Sequence, residues 1–142
     1  MSAGQYPGTT LSDRPACIRH WSEIEDPTAG QYPGDDDLLA FGAPFGRHFG
    51  LRKIGIHHER VPSGYRTSHP NAESAEEEFV YVIEDPPEVW LDGTLYRLKP
   101  GDGVGFSPPG AGQSHTFISN TDTELRLLIV GQTALPENRV IY

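Results

Sequence analysis

Apolar and polar positions alternate with a period near two through most of the second half of the chain. The pattern is clearest in "EFVYVIED", where Glu78, Val80 and Val82 fall on one face and Phe79, Tyr81 and Ile83 on the other. Segments of this kind recur between turn signals and predict strands over 48–60, 77–84, 87–91, 94–98, 103–107, 115–119 and 124–131, with a closing edge at 139–142. Asp92-Gly93 inside "VWLDGTLYRL" suits the positive φ angles of a type I′ turn and predicts a tight hairpin. "LKPGDGVGF" reads as strand, Pro-Gly turn, strand. No stretch of a dozen residues keeps an apolar repeat of helical period, and 13 prolines and 16 glycines interrupt the chain throughout. The predicted fold class is all-β, a sandwich or barrel.

Residues 1–46 follow a different rule. They are polar and rich in turn residues, and read as a tail to about residue 15, then an irregular arm over 16–46 with one short strand around "CIRHW". Residues 47–142 form the predicted barrel domain. "QYPG" at 5–8 and again at 31–34 is too short to be a structural repeat. Asp35, Asp36 and Asp37 read as a solvated turn, since the spaced acids and closing glutamate of a calcium loop are absent. A length of 142 residues suits one domain with one core.

Charge and cysteine content narrow the function classes. With 20 acidic against 11 basic side chains the formal charge is −9, which repels a phosphate backbone and an anionic membrane, so neither nucleic acid nor membrane is an expected partner. No apolar run approaches the length that spans a bilayer. Cys17 stands alone, so no internal disulfide forms, and the first residues lack the basic and apolar regions of a signal peptide; a cytoplasmic location is expected. No nucleophile signature surrounds Cys17, which reads as a free thiol. "GAGQS" at 110–114 lacks the lysine and following helix of a phosphate-binding loop, so nucleotide binding is not expected.

"EEEFVYVIED", followed after a hairpin by "LKPGDGVGFSPPGAGQSHTFISN", resembles the two signature motifs of the cupin superfamily over about residues 48–131. In that family the first motif carries a glycine, an H-x-H pair, a glutamate and, six residues on, a glycine. The second carries a glycine, a P-x-G turn, a histidine and an asparagine. The resemblance implies a double-stranded β-helix, the jelly-roll barrel, with an irregular N-terminal arm. It places Glu78 at the metal-ligand glutamate and His115 at the second-motif histidine. The paired histidines fall at Asn71 and Glu73, and the closing glycine is replaced by Asp85.

The replacements change the chemistry on offer. Three imidazoles and one carboxylate suit iron, manganese, nickel, copper or zinc, whereas Asn71, Glu73, Glu78 and His115 offer three oxygens and one nitrogen, a harder set that favours manganese, magnesium or calcium over copper. The expected cofactor is a divalent metal such as Mn, Zn, Fe or Ni, or none. Oxygen activation at iron would need a second imidazole, which only His69 stands near enough in sequence to supply. Without metal, Glu73 and Glu78 would share one interior, and repulsion plus burial would raise at least one of their pKa values; with His115 they would form an acid–base site. Arg66 in "GYRTS" could bind an anionic group at the mouth or neutralise nearby glutamates. His69, Phe106, Gln113 and Phe117 are further candidates for substrate contact, although Phe106, Phe117, Trp90 and Tyr65 could equally fill the core. His57 and His58 are adjacent on a strand, so at most one faces inward.

Two function classes follow. One is a lyase- or isomerase-type enzyme acting on a small oxygenated metabolite such as a sugar, sugar phosphate or keto acid, with Glu73, Glu78 and His115 as catalytic groups. The other is a non-catalytic ligand-binding or dimeric interaction module with a degenerate metal site. Small cupins pair through edge strands and N-terminal arms, so the resemblance also implies a homodimer.

Overall fold

A computed structural model describes residues 14–31, 33–73, 75–107, 114–133, 136 and 139–141. Gln113 and the rest of residues 108–113 fall outside the described residues. The elements run in the order α1 (Trp21–Ile24), β1 (Phe41–Ala43), α2 (Phe45–Phe49), β2 (Ile54–Val61), β3 (Ala72–Glu73), β4 (Glu78–Glu84), β5 (Glu88–Leu91), β6 (Thr94–Arg97), β7 (Gly103–Phe106), β8 (His115–Ile118), β9 (Leu125–Gln132) and β10 (Val140–Ile141). Two packed antiparallel sheets result, the jelly-roll architecture of a small all-β barrel. The larger takes the order β1-β2-β9-β4-β7 and the smaller β6-β5-β8, while β3 and β10 pair as a separate ribbon. The smaller sheet continues beyond β8, because Thr67 N–H donates to the Phe117 carbonyl, Ser119 N–H to that of Tyr65, and Asn71 and His115 exchange backbone bonds in both directions.

Strict alternation assigns the two faces of the large sheet. On β4, Val80 and Val82 are fully buried whereas Phe79 and Tyr81 are exposed; on β9, Leu125 and Leu127 are fully buried. These side chains meet Val61 of β2 and Phe106 of β7 in the same sheet and, across the barrel, Val89 and Phe117. Each such side chain withdrawn from water contributes about 1.5–3 kcal/mol, so this interlayer supplies most of the driving force for closing the sheets. The predicted hairpin between β5 and β6 forms, with Asp92 at φ 44° and Gly93 at φ 96°.

The arm departs from expectation in three places. Where a strand was expected around "CIRHW", His20 caps α1: its Nδ1 accepts from Ser22 N–H at 3.2 Å, and its own N–H donates to Glu23 Oε2 at 3.3 Å. The expected strand from 48 starts at Ile54 instead, since residues 45–49 coil into α2 and stop at Gly50 in the left-handed region. Two short strands, β1 and β3, were not anticipated. The arm packs on its own barrel: β1 pairs with β2, and Leu39 bridges Arg66. Arg60 holds Glu25 bidentately at 2.8 and 3.1 Å and reaches Glu124 at 2.6 Å. Trp21 stacks on buried His58 with ring centroids 4.6 Å apart. Among the described residues no helix is long and apolar enough to cross a membrane.

Candidate active site

Glu78 opens β4 with the parity of Val80 and Val82, so its side chain points into the barrel. It pairs in register with Gly131 of β9, which in turn pairs with Gly55 of β2. On the β9 and β2 side that row carries no side chain, which leaves room beside the carboxylate, while on the other side it ends on Phe106 of β7. His115 begins β8 in the facing sheet, its backbone fixed by the two bonds to Asn71 of 2.9 and 3.2 Å. The two side chains meet between the sheets, His115 Nε2 lying 3.0 Å from Glu78 Oε1. His115 is only 4% exposed and is sandwiched by aromatic rings: Phe106 stacks on it at 3.7 Å and 10°, and Phe117 presents its edge at 6.3 Å and 74°. This packing fixes the imidazole plane.

The dyad borders a cavity of about 160 Å³ that also touches Asn71, Thr67, His57 and Glu59. Liquid water takes about 30 Å³ per molecule, so the space equals about five waters, room for the reacting carbons of a small metabolite. His57 and Glu59 are residues that sequence reasoning did not place in the site. They project from β2 with the parity of fully buried Val61, and His57 Nε2 lies 3.3 Å from Glu59 Oε1. The alternation had allowed one of His57 and His58 to face inward, and it is His57; His58 faces α1 instead.

Other predicted residues lie elsewhere. Glu73 pairs with Val140 on the β3–β10 ribbon and is not among the described residues lining the cavity. The expected interior pair of Glu73 and Glu78 therefore does not form there. Asn71 lines the cavity, but its amide nitrogen donates to Ser68 Oγ at 3.1 Å and to the His69 carbonyl at 2.8 Å. Arg66 is paired with Asp37, and His69 Nε2 lies 2.7 Å from Asp35 Oδ2. Both point at the arm. The acidic run is thus a clasp, and the Asp35 carboxyl is held below its ordinary range chiefly by the Asp37 backbone N–H, with His69 and Arg66 adding to it.

The donor sets can be weighed against a metal ion. Among the described residues, the His, Asp and Glu ligand atoms that converge within 4.8 Å in a group of three are those of Asp35, Asp37 and His69, and Arg66 already neutralises Asp37 there. No such trio forms in the barrel, where Glu78 and His115 are bonded to one another and Glu73 is absent from the wall. Among the described residues, Glu73, Glu78 and His115 therefore do not gather round one point, as a metal centre at the motif positions would require of them. The second imidazole of the cavity is His57 rather than His69.

A cupin-domain family model matches residues 57–131. The chain belongs to the cupin family. Among solved structures it is similar to a sugar phosphate isomerase of the cupin superfamily from Silicibacter pomeroyi, at 26% identity and TM-score 0.76 over 87% of this chain and 79% of that one. It also resembles a candidate sugar phosphate isomerase from Acidithiobacillus ferrooxidans, at 29% identity and TM-score 0.67, covering 72% of this chain but only 64% of that protein's length. The polyketide cyclase RemF from Streptomyces resistomycificus shares the fold at 17% identity, with TM-score 0.67 over 88% and 84% of the two chains. No curated protein matches the chain significantly.

Proposed function

We propose that this cupin is an isomerase-type enzyme that moves a proton on a small hydroxylated carbonyl compound, with Glu78 and His115 as its acid–base pair and without a metal. The observation that carries the reading is the 3.0 Å contact between a buried imidazole and a carboxylate at the edge of a cavity of metabolite size. Proton abstraction beside a carbonyl needs a base within hydrogen-bond reach and a group that accepts and returns the proton, and a positioned pair contributes about 10²–10⁴ in rate. Sugar phosphates are the first substrate class to try, since two relatives above a quarter identity carry that name. Lys53, on the groove of about 610 Å³ that shares Glu78 with the cavity, offers a cation for the phosphate.

Exposed Phe79 and Tyr81 on the outer face of the large sheet support pairing of two copies there as a homodimer. The single exposed cysteine supports a cytoplasmic setting.

The test is incubation in D₂O with three- to six-carbon aldose and ketose phosphates, followed by proton NMR. Wild-type protein should wash deuterium into the carbon beside the carbonyl, and Glu78→Gln and His115→Gln should each slow this by about 100-fold or more. Wild-type protein that exchanges no member of the panel, or variants as fast as wild type, would overturn the reading.

A further inference from the structure

His57 and Glu59 are left over from the acid–base pair just described, yet they stand in the same cavity. Three features set them apart. They form a second histidine–carboxylate pair, 3.3 Å apart, on a different strand from Glu78. Glu59 Oε2 is buried and, among the described residues, has no hydrogen-bond partner, a costly state for a carboxylate oxygen unless a ligand donor meets it. Finally, both residues also line a second cavity of about 320 Å³ beneath the arm, where Gly42, opposite Glu59 on β1, leaves space. They form the wall between the barrel interior and that outer chamber. Asp26 lies in the chamber beside Arg47, which argues against an anion-binding role for it and for a route open to water and protons.

The register fixes the separation of the two pairs. His57 shares a row with Ile129 and Val80, and Glu78 shares the next row with Gly131 and Gly55. β2 and β4 flank β9, so their backbones are two interstrand spacings apart, about 9.6 Å. The two pairs project from the same face of the sheet, one row apart, and border one cavity, which leaves space between them for a small ligand.

We propose that His57, held by Glu59, is the second proton-transfer group of the site, acting on the ligand's oxygens while Glu78–His115 acts on its carbons. This rests on the isomerase reading and adds the substrate class: a carbonyl compound with a hydroxyl on the neighbouring carbon. The Glu78–His115 pair takes the proton from the hydroxyl-bearing carbon, and the C–H electron pair becomes the C=C bond of an enediol. The carbonyl π electrons move to its oxygen, which receives a proton from His57. In the second half the new C=C pair takes the proton back at the former carbonyl carbon. The other hydroxyl returns its proton to His57, and a carbonyl forms there. Electrons and protons balance with no co-reactant. Glu59 stabilises the His57 imidazolium with one oxygen and accepts a ligand hydroxyl with the other.

The test separates two readouts on the same sugar phosphate panel in D₂O, namely deuterium wash-in at carbon and net interconversion of aldose and ketose. His57→Gln and Glu59→Gln should slow both readouts, because the carbonyl oxygen takes its proton from His57 as the enediol forms. Interconversion, which also needs the second oxygen to give up its proton, should fall by at least about tenfold more than wash-in, with Glu59→Asp recovering part of both. Variants that match wild type in both readouts, or that lose both in parallel while their urea midpoints stay unchanged, overturn this division of labour and leave the isomerase reading standing. Wild-type protein inert in both readouts overturns that reading, and this inference with it.

Discussion

Acid should loosen the seam between arm and barrel through one buried histidine. His58 is 2% exposed, lies under the Trp21 ring and accepts a hydrogen bond from Arg126 Nε at 2.9 Å through its Nε2. Burial first, and the Arg126 charge second, push its pKa down from 6.5 to about 4. The unfolded chain therefore binds a proton at this site more readily than the folded one between those two values. Its stabilising contribution is complete above pH 7, falls as the pH drops below 6.5 and is exhausted near the folded pKa. Between pH 7.5 and pH 4.5 the loss comes to about 2.5 kcal/mol at 1.36 kcal/mol per pKa unit. Urea denaturation at the two pH values, on wild type and on His58→Gln, isolates this site from the carboxylates, which titrate alike in both proteins. Wild type should lose about 2.5 kcal/mol more than the variant. A difference below about 0.5 kcal/mol would refute a buried neutral imidazole at this seam.

Three further outcomes follow from the packing. Arg60→Leu removes the partner of half-buried Glu25 and should cost about 2 kcal/mol in urea denaturation, with faster proteolysis within residues 14–40. Phe106→Ala takes away the ring stacked on His115 and should cost about 3 kcal/mol, with Phe106→Leu recovering stability better than deuterium exchange. If two copies pair through the outer face, Phe79→Glu should convert a dimer to a monomer by light scattering, whereas the same change at exposed Leu95 on β6 should not.

How much was legible depended on whether local rules sufficed. The strands and the Asp92-Gly93 hairpin are written in alternation and turn chemistry, and eight of the predicted segments correspond to β2, β4–β9 and β10. Even the altered first motif keeps its backbone: Asp85 replaces the family's glycine and takes a φ of 59°, a conformation aspartate tolerates better than most residues. α1 was missed because a four-residue helix has no period to detect, and its stability comes from the His20 cap and from Trp21 packing on His58. Short β1 and β3 give too few alternations to stand out.

The site was half legible. Glu78 and His115 sit in motifs whose spacing is local, and the structure brings them together. His57 and Glu59 depend on which face of β2 turns inward, which the register with β9 decides and adjacent histidines hide. Arg66 and His69 were drawn toward the cavity by sequence proximity, but Asp37 and Asp35, about thirty residues earlier, hold them at the arm. Long-range charge pairing of that kind leaves no local pattern.

The central claim is proton transfer by side chains alone. Its most direct test is the rate of deuterium wash-in by protein dialysed against chelator, set beside the same protein reloaded with manganese, zinc or iron. The account predicts equal rates, and loss of the rate in Glu78→Gln whatever the metal. Exchange that appears only on reloading, in proportion to bound metal, would contradict it.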